Sequence, residues 1–565
     1  MHNIRRILAT LFCVISATLA AFAQRNYRVA VIRAELGGQP FSVSEEYIDS
    51  TLREASRYYN EQCAPGLNVT FELGPVVSLT GSYTNENAHL AVDEACRLAN
   101  TSVNYRRYDS DSDGTVDCMG VLFSGEEVWP QYHTLSAKNI YLRLDHVLID
   151  GYFALSEIIY NRPFGIGPIC HEFGHSLGLQ DLYDTDLDGS GGLAECLWGS
   201  LALMDKGDHN DSLRTPAGLC AIDFDMLGLG TCDTLAAGEY TLRPFSESHT
   251  YLRHSTDTPG EYFLFECRTQ SGWDRYIGGS GLLIYHIDRS LNRAGYSTYY
   301  NITLRAAERW EKNEVNARPD HQCADLVEAY PEADTVSAVF FPYGGLQTFS
   351  SDSEPAFRSW DNSPARFALK DIAMNADSSI TFTVIEPISE STNSVFQNSA
   401  ILRLKIDPAL LDEIDSCTVA VRTARENPMI CIVLPDAEGH LTVMLDSLKA
   451  GTAYTTLTTV YTPDAIYSKA GSFKTMVIDG RNTTPFIYFT GGVRAKDGTF
   501  QKGARFPLYV YNSNGAESIS WYFGDRPAAT DSEGYFTLTS DGTLRAEINW
   551  PDGTTDVIVK EIVTR

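Results

Sequence analysis

His171-Glu172-Phe173-Gly174-His175 places two imidazoles four residues apart, with a carboxylate next to the first. On a helix, residues four apart project from one face, so both rings can reach a single zinc ion at roughly 2.0–2.1 Å. Glu172 then stands beside the open coordination position, where it can take a proton from an activated water and hand it to a leaving amine. Gly178 comes three residues after His175 and Asp181 six after. A glycine at that point lets the helix end and the backbone turn sharply, which carries a third ligand, Asp181, back to the metal. Glu195, twenty residues after His175, fits the rival arrangement in which a second helix supplies a glutamate. Two histidines on an ordinary helix face are the plain alternative, and the extension by Gly178 and Asp181 argues against it.

Two acidic loops lie to either side of this motif. Asp109, Asp111 and Asp113, then Gly114 and Asp117, alternate carboxylates as a calcium loop does. Position twelve of that loop is Gly120, so a closing glutamate is missing. In the second loop Asp184, Asp186, Asp188 and Ser190 alternate in the same way, and Glu195 falls at position twelve. The second is the closer match, and it gives Glu195 a task other than zinc. The competing reading of both is a solvated acidic turn, where Asp and Gly serve local hydrogen bonds. His133, His146 and His209 lack partners at ligand spacing and read as surface or loop residues. His286 reads as strand packing, and Asp205 as a brace for the turn it sits in.

The elements that must position these residues alternate at first. Residues 27–33 (YRVAVIR) read as a buried strand and 45–60 as an amphipathic helix with Ile48, Leu52, Ala55 and Tyr59 on one face. Strands at 67–71 and 119–123 and a helix at 88–99 follow, an α/β layout. From about 235 onward short strand-like runs replace helices: 262–268, 281–288, 338–343, 416–423, 452–462, 505–512 and 534–550. The Ser/Thr/Asn-rich stretch 387–398 reads as a linker, and a weaker boundary falls at 477–484.

Composition narrows the class. Arg5 and Arg6, the apolar run 7–19 and Ala21-Phe22-Ala23 form an export leader, leaving Gln24 as the expected mature start. No later stretch is long enough to span a membrane. With 565 residues the chain needs roughly three or four cores. A net charge of −29 argues against nucleic acid, whose phosphates it would repel. Of 12 Cys, Cys13 falls in the leader, so an odd number remains and at least one thiol has no partner in the chain. Cys417 with Cys431 is the first pair to test for a disulfide.

The extended pattern HExxHxxGxxD, followed by Leu182-Tyr183-Asp184, resembles the immune inhibitor A family of metallopeptidases. The resemblance implies a zinc endopeptidase of the metzincin type, in which a methionine turn underlies the metal. WGSLALMD at 198–205 occupies the place of that turn and makes Met204 its methionine. Gly178 and Met204 belong to one scheme, which favours Asp181 over Glu195. Tyr58-Tyr59-Asn60, 109–117, 216–228, 262–268 with Gly272-Trp273-Asp274, and 281–288 look like further landmarks, so the resemblance spans 27–386. Residues 448–476 look like the end of a fibronectin type III domain, and the rest is immunoglobulin-like more loosely. Family propeptides precede the catalytic unit, whereas here the first strand follows the leader almost directly, so control by an N-terminal prodomain is not expected. A metal-blocking thiolate from Cys63 or Cys170 stands as an alternative to ordinary cysteine packing.

The resulting expectation is a multidomain chain: leader 1–23, an α/β metzincin-like zinc peptidase domain at 24–234, an associated β-sandwich at 235–387, a fibronectin type III-like domain at 388–477 and an immunoglobulin-like domain at 478–565. It implies a secreted endopeptidase with one catalytic zinc and bound calcium, cleaving extracellular proteins or peptides, with cell-surface polymer contact through the last β domains. An adhesin with a vestigial zinc domain, or a zinc hydrolase of cell-wall or glycoprotein peptides, remains open beside it.

Overall fold

A computed structural model describes residues 24–565, except 195, 333–334, 391–392, 425–426, 477–484, 490–493, 496–497, 515, 551–552 and 554. The expected leader, Glu195 and the boundary at 477–484 therefore lie outside the described residues. No described helix is long and apolar enough to cross a membrane. The chain divides into two compact units, one ending at Glu386 and one running from Pro387 to Arg565.

In the first unit, β1 (Arg25–Glu35) lies between β2 (Leu67–Ser78) and β3 (Met119–Phe123), and β5 (Gly151–Ser156) and then β4 (Gln131–Thr134) complete the sheet. All neighbours are parallel except β4, which runs antiparallel to β5 at the edge. The near-continuous apolar run of β1 follows from burial on both faces. Val29 and Val31 face one core, Ala30, Ile32 and Ala34 the other. Helix α1 (Glu45–Cys63) covers the first face, with Ser44 capping its N-terminus and Ile48, Leu52, Ala55 and Tyr59 buried. Helix α2 (Ala88–Ala99) covers the second.

Helix α3 (Ile166–Ser176) carries the histidines and packs on the same face as α1. The Tyr47 hydroxyl donates to Phe164 O (2.7 Å) and that of Tyr59 to Cys170 O (2.5 Å), so α1 holds α3 just before its start and just before His171.

Residues beyond 234 build a core of their own, with Leu252, Phe263, Phe265, Ile284, Phe349 and Phe357 among its members, and also contribute to the core under α3. Tyr262, Leu264, Leu283, Tyr285 and Trp310 belong to the same apolar cluster as Phe173 and Met204. Trp310 comes from a short helix, Ala306–Glu311, and the others from a second sheet, which includes the antiparallel neighbours β6 (Glu261–Arg268) and β7 (Gly281–Asp288). Arg268 is fully buried at the junction. Its guanidinium donates to Asp274 (2.8 Å from Nε) and Glu266 (3.3 Å), and to Leu201 O and Gly218 O (3.3 and 3.2 Å). Glu266 in turn accepts from Ala221 N (3.0 Å) and the Tyr285 hydroxyl (2.6 Å).

The second unit is built from short antiparallel strands, among them a four-stranded sheet ordered Met429–Ile432, Ser416–Arg422, Ala453–Tyr461, Ile466–Lys474.

Several expectations need correction. The run 338–343 is not a strand: a 3-10 turn at Val336–Val339 leads into a single bridge from Phe341 to Leu282. Ala338 to Phe341 are buried one after another without alternation, and Pro342 lacks the donor that a ladder needs. The stretch 387–398 is not a free linker. Ile388–Glu390 and Ser394–Val395 both pair with Ala400–Ile406, and buried Ser394 is hydrogen-bonded to Arg403 and Tyr535. Polar side chains gave it a linker's composition, but Asn393 and Ser394 are both hydrogen-bonded to Arg403. Cys417 and Cys431 are free thiols, because the register sets Cys431 opposite Val419 rather than Cys417.

Removing Arg268 leaves two buried carboxylates without their cation. Arg268→Met is expected to destabilise the first unit by about 3–5 kcal/mol in denaturant titration. A loss within the range of ordinary surface substitutions would show that the junction does not depend on this ion cluster.

Candidate metal centre

Helix α3 presents His171, Glu172 and His175 along one side, the first two only 7% exposed. Each imidazole is oriented from behind. His171 Nδ1 lies 2.8 Å from Leu203 O and His175 Nδ1 lies 3.0 Å from Leu179 O. A proton on each Nδ1 satisfies those carbonyls and leaves both Nε2 lone pairs facing forward.

The chain reverses directly after the helix. Gly178 takes φ +99°, a backbone conformation that side chains disfavour, and Leu179 N returns to Gly174 O at 3.1 Å. Asp181 is thereby carried back over the helix, where its Oδ1 stands 3.1 Å from His171 Nε2 and 3.3 Å from His175 Nε2. Tetrahedral ligands at roughly 2.0 Å from a common ion are about 3.3 Å apart. Each imidazole Nε2 thus stands at zinc-donor spacing from the Asp181 oxygen, and these residue types fit the metal.

Met204 lies beneath. It is fully buried, Leu182 N donates to its carbonyl at 2.7 Å, and a Cβ added at Gly174 would sit 2.8 Å from its sulfur. Glycine inside the motif is what allows this close approach. Asp205 braces the turn by accepting from Leu197 N (3.1 Å) and Gly199 N (3.2 Å).

Asp181 is held by a residue with no signal in the sequence. Asn313 donates from Nδ2 to Asp181 Oδ2 at 2.6 Å, and its Oδ1 accepts from Asp181 N at 2.7 Å. It comes from 132 residues downstream, within the stretch assigned to the β-sandwich. Asn316 adds a bond to Leu182 O at 2.9 Å.

A cavity of about 370 Å³ opens over the donors, with Tyr132, His133, Tyr183 and Asn313 in its wall. Tyr132 lies 5.9 Å from the His175 ring and Tyr183 stacks at 6.3 Å from His171. His133, set aside from sequence, therefore belongs to the site: its edge strand brings it there, which spacing from other histidines could not reveal. Cys63 and Cys170 are buried and are not part of this wall.

Burial dominates the electrostatics. It pushes the Glu172 carboxyl up to about 7, against the pull of His171 and His175. Burial also opposes charge on His171, yet the Asp181 hydrogen bond and the charges of Glu172 and Asp208 raise it to about 10. Asp181 would likewise rise on burial, but both imidazoles hold it far below the carboxylate range. Burial raises the Tyr183 phenol, which stays protonated at neutral pH.

The acidic loops behave differently from each other. Asp109, Asp111 and Asp113 bring carboxylate oxygens within 4.8 Å of one another, while Asp117 accepts from Ser110 N (3.0 Å). Asp184 is occupied by Ala194 N (2.8 Å) and Asp186 N (3.2 Å), Asp186 binds Ser190 N (3.1 Å), and Asp188 is exposed. The described part of the second loop does not gather three carboxylates.

Comparisons with known proteins bear on this centre alone. Among solved structures the chain is similar to a two-domain fibronectin type III segment of chicken tenascin, at 14% identity over 31% of this chain and 97% of that one, with a TM-score of 0.14. It is also similar to the sensor domain of the anti-sigma factor RsgI4 of Pseudobacteroides cellulosolvens, at 16% identity over 17% and 80%, with a TM-score of 0.13. A comparison with curated proteins finds no match. Residues 148–222, which hold both histidines, Glu172, Asp181 and Met204, match the family model described as immune inhibitor A peptidase M6, catalytic domain.

Proposed function

We propose that the chain is an exported, zinc-dependent endopeptidase that hydrolyses extracellular proteins. The observation carrying this reading is the convergence of His171 Nε2, His175 Nε2 and Asp181 Oδ1 at ligand spacing, with buried Glu172 beside them. Zinc, when bound by these three, supplies Lewis acidity to the scissile carbonyl and to the attacking water. Glu172 accepts the proton from that water and delivers it to the departing amine. Burial, which raises this carboxyl above the ordinary carboxylate range, suits it to both halves of that task. Tyr132 and Tyr183, protonated and in the cavity wall, are donors for charge that develops on the carbonyl oxygen.

The edge strand β4 supports a polypeptide substrate. Leu135 N bonds to Asp150 O, so along the antiparallel register His133 and Gln131 are the residues that bond to β5. Tyr132 and Thr134 then point their backbone N–H and C=O groups away from the sheet, beside the metal donors. An extended chain can pair there with its scissile bond over Glu172. In this proposal residues 24–234 supply the reacting groups and the β-rich part up to 387 supplies the Asn313 clamp. The Asp109 and Asp184 loops are proposed as calcium sites that stiffen the approach to the centre.

Glu172→Gln is expected to retain zinc and to lose casein or gelatin cleavage by about 10²–10⁴-fold. Cleavage by that variant at the wild-type rate would exclude Glu172 as the proton carrier, and purified cell-wall peptide cut in preference to protein would move the substrate class. Asn313→Ala removes both bonds from Asp181. Its zinc affinity, read by competition with a chromophoric chelator, is expected to fall about 10–100-fold with the circular dichroism spectrum unchanged. Unaltered affinity would mean that Asp181 needs no clamp, or is not a ligand.

A further inference from the structure

Beside the metal centre lies a row of aromatic rings that the reaction does not use. Trp129 and Tyr160 are 53% and 52% exposed, and their centroids are 5.6 Å apart with the rings tilted by 58°. The His209 ring continues the row, 5.7 Å from Tyr160. Large exposed aromatics scattered singly need no explanation. These are paired, and both ends of the row are anchored to the site.

At one end, Trp129 directly precedes the cavity-lining run from Pro130 to His133. Its backbone N–H is fixed to Asn85 Oδ1 (3.0 Å), which also takes the side-chain amide of Gln131 (2.9 Å). At the other end, His209 follows Asp208, whose carbonyl packs so closely on the first turn of α3 that a Cβ on Gly167 would meet it at 1.9 Å. Tyr160 sits between, in the tight turn of a hairpin that leads into α3, with φ 52°. Each ring is thus carried by an element whose backbone is tied to the catalytic helix or the edge strand. Burying the exposed faces of two such rings is favourable for any apolar side chain laid across them.

We infer that Trp129 and Tyr160 form a specificity subsite for a large apolar or aromatic side chain of the substrate, about three residues from the scissile bond. The spacing follows from the strand. Trp129 lies two residues before β4 begins at Gln131, so a substrate that pairs with β4 and continues past its end reaches the platform after about 10 Å of extended chain. Glu126 and Glu127, both exposed, precede the platform and disfavour acidic side chains there. The inference rests on the proposal that the chain is an endopeptidase whose substrate lies along β4.

The test uses the full chain with internally quenched peptides in which one position at a time is varied, and cleavage sites are read by mass spectrometry. Wild type is expected to prefer aromatic or long aliphatic residues over acidic ones at one position about three from the cut, by roughly tenfold or more in kcat/KM and mainly through KM. Trp129→Ala, and independently Tyr160→Asn, which suits the left-handed turn, should bring that ratio close to one. Both should leave zinc content and cleavage of peptides too short to reach the platform unchanged. Wild-type cleavage with the same side-chain profile in both variants would overturn the subsite while leaving the peptidase reading intact. If wild type cleaves no peptide or protein offered, the peptidase reading falls and the subsite with it.

Discussion

Asp181 stands at the joint between two parts of the chain, and the geometry of the centre depends on how it is held. The helix alone supplies two imidazoles and a carboxylate; it cannot supply a third donor, because its next residues continue past the site. The turn at Gly178 brings Asp181 back, and the paired bonds from Asn313 fix both its backbone and its outer oxygen. A carboxylate held on one side can point the other oxygen at a metal without loss of rotational freedom on binding, which is the physical benefit of an outer hydrogen-bond partner. The residue that completes the centre lies beyond 234, within the part that reads as an appended β domain.

That arrangement explains why the two parts of the first unit share a core. A clamp from Asn313 is only as rigid as the packing between α3 and the short helix Ala306–Glu311 that the clamp follows. The buried cluster of Arg268, Glu266 and Asp274 bonds to Leu201 O before Met204 and to Gly218 and Ala221 after it, and the apolar cluster continues across the junction. Buried ion clusters contribute little net stability relative to apolar replacements, but they specify one arrangement, because any other leaves a charge unpaired. Inside the site the same logic runs in reverse. Glu172, Asp181 and Asp208 are three buried acids, and His171 partly balances them by holding a proton. A divalent cation at the convergence point removes the need for that proton.

The sequence was readable wherever the structure follows local rules. The alternation at 27–123, the helix face of Ile48, Leu52, Ala55 and Tyr59, and the helical spacing of His171 and His175 depend on short-range periodicity. Gly178 announced a turn because its chemistry permits few other uses. What could not be read depends on distant partners. Asn313 is an ordinary loop asparagine until Asp181 is placed against it, and His133 reaches the cavity through strand order in the sheet. The runs 338–343 and 387–398 were misread for the same reason from opposite sides. The first is apolar but buried in a turn; the second is polar but paired within a sheet.

The central claim is that His171, His175 and Asp181 hold one zinc ion. Anomalous diffraction at the zinc edge, on crystals of the zinc-loaded chain, tests it most directly. The account predicts a single strong peak at roughly 2.0–2.2 Å from His171 Nε2, His175 Nε2 and an oxygen of Asp181, with Asn313 on the other carboxylate oxygen. A peak bound by the two histidines and Glu195, or no peak at this position, would contradict it.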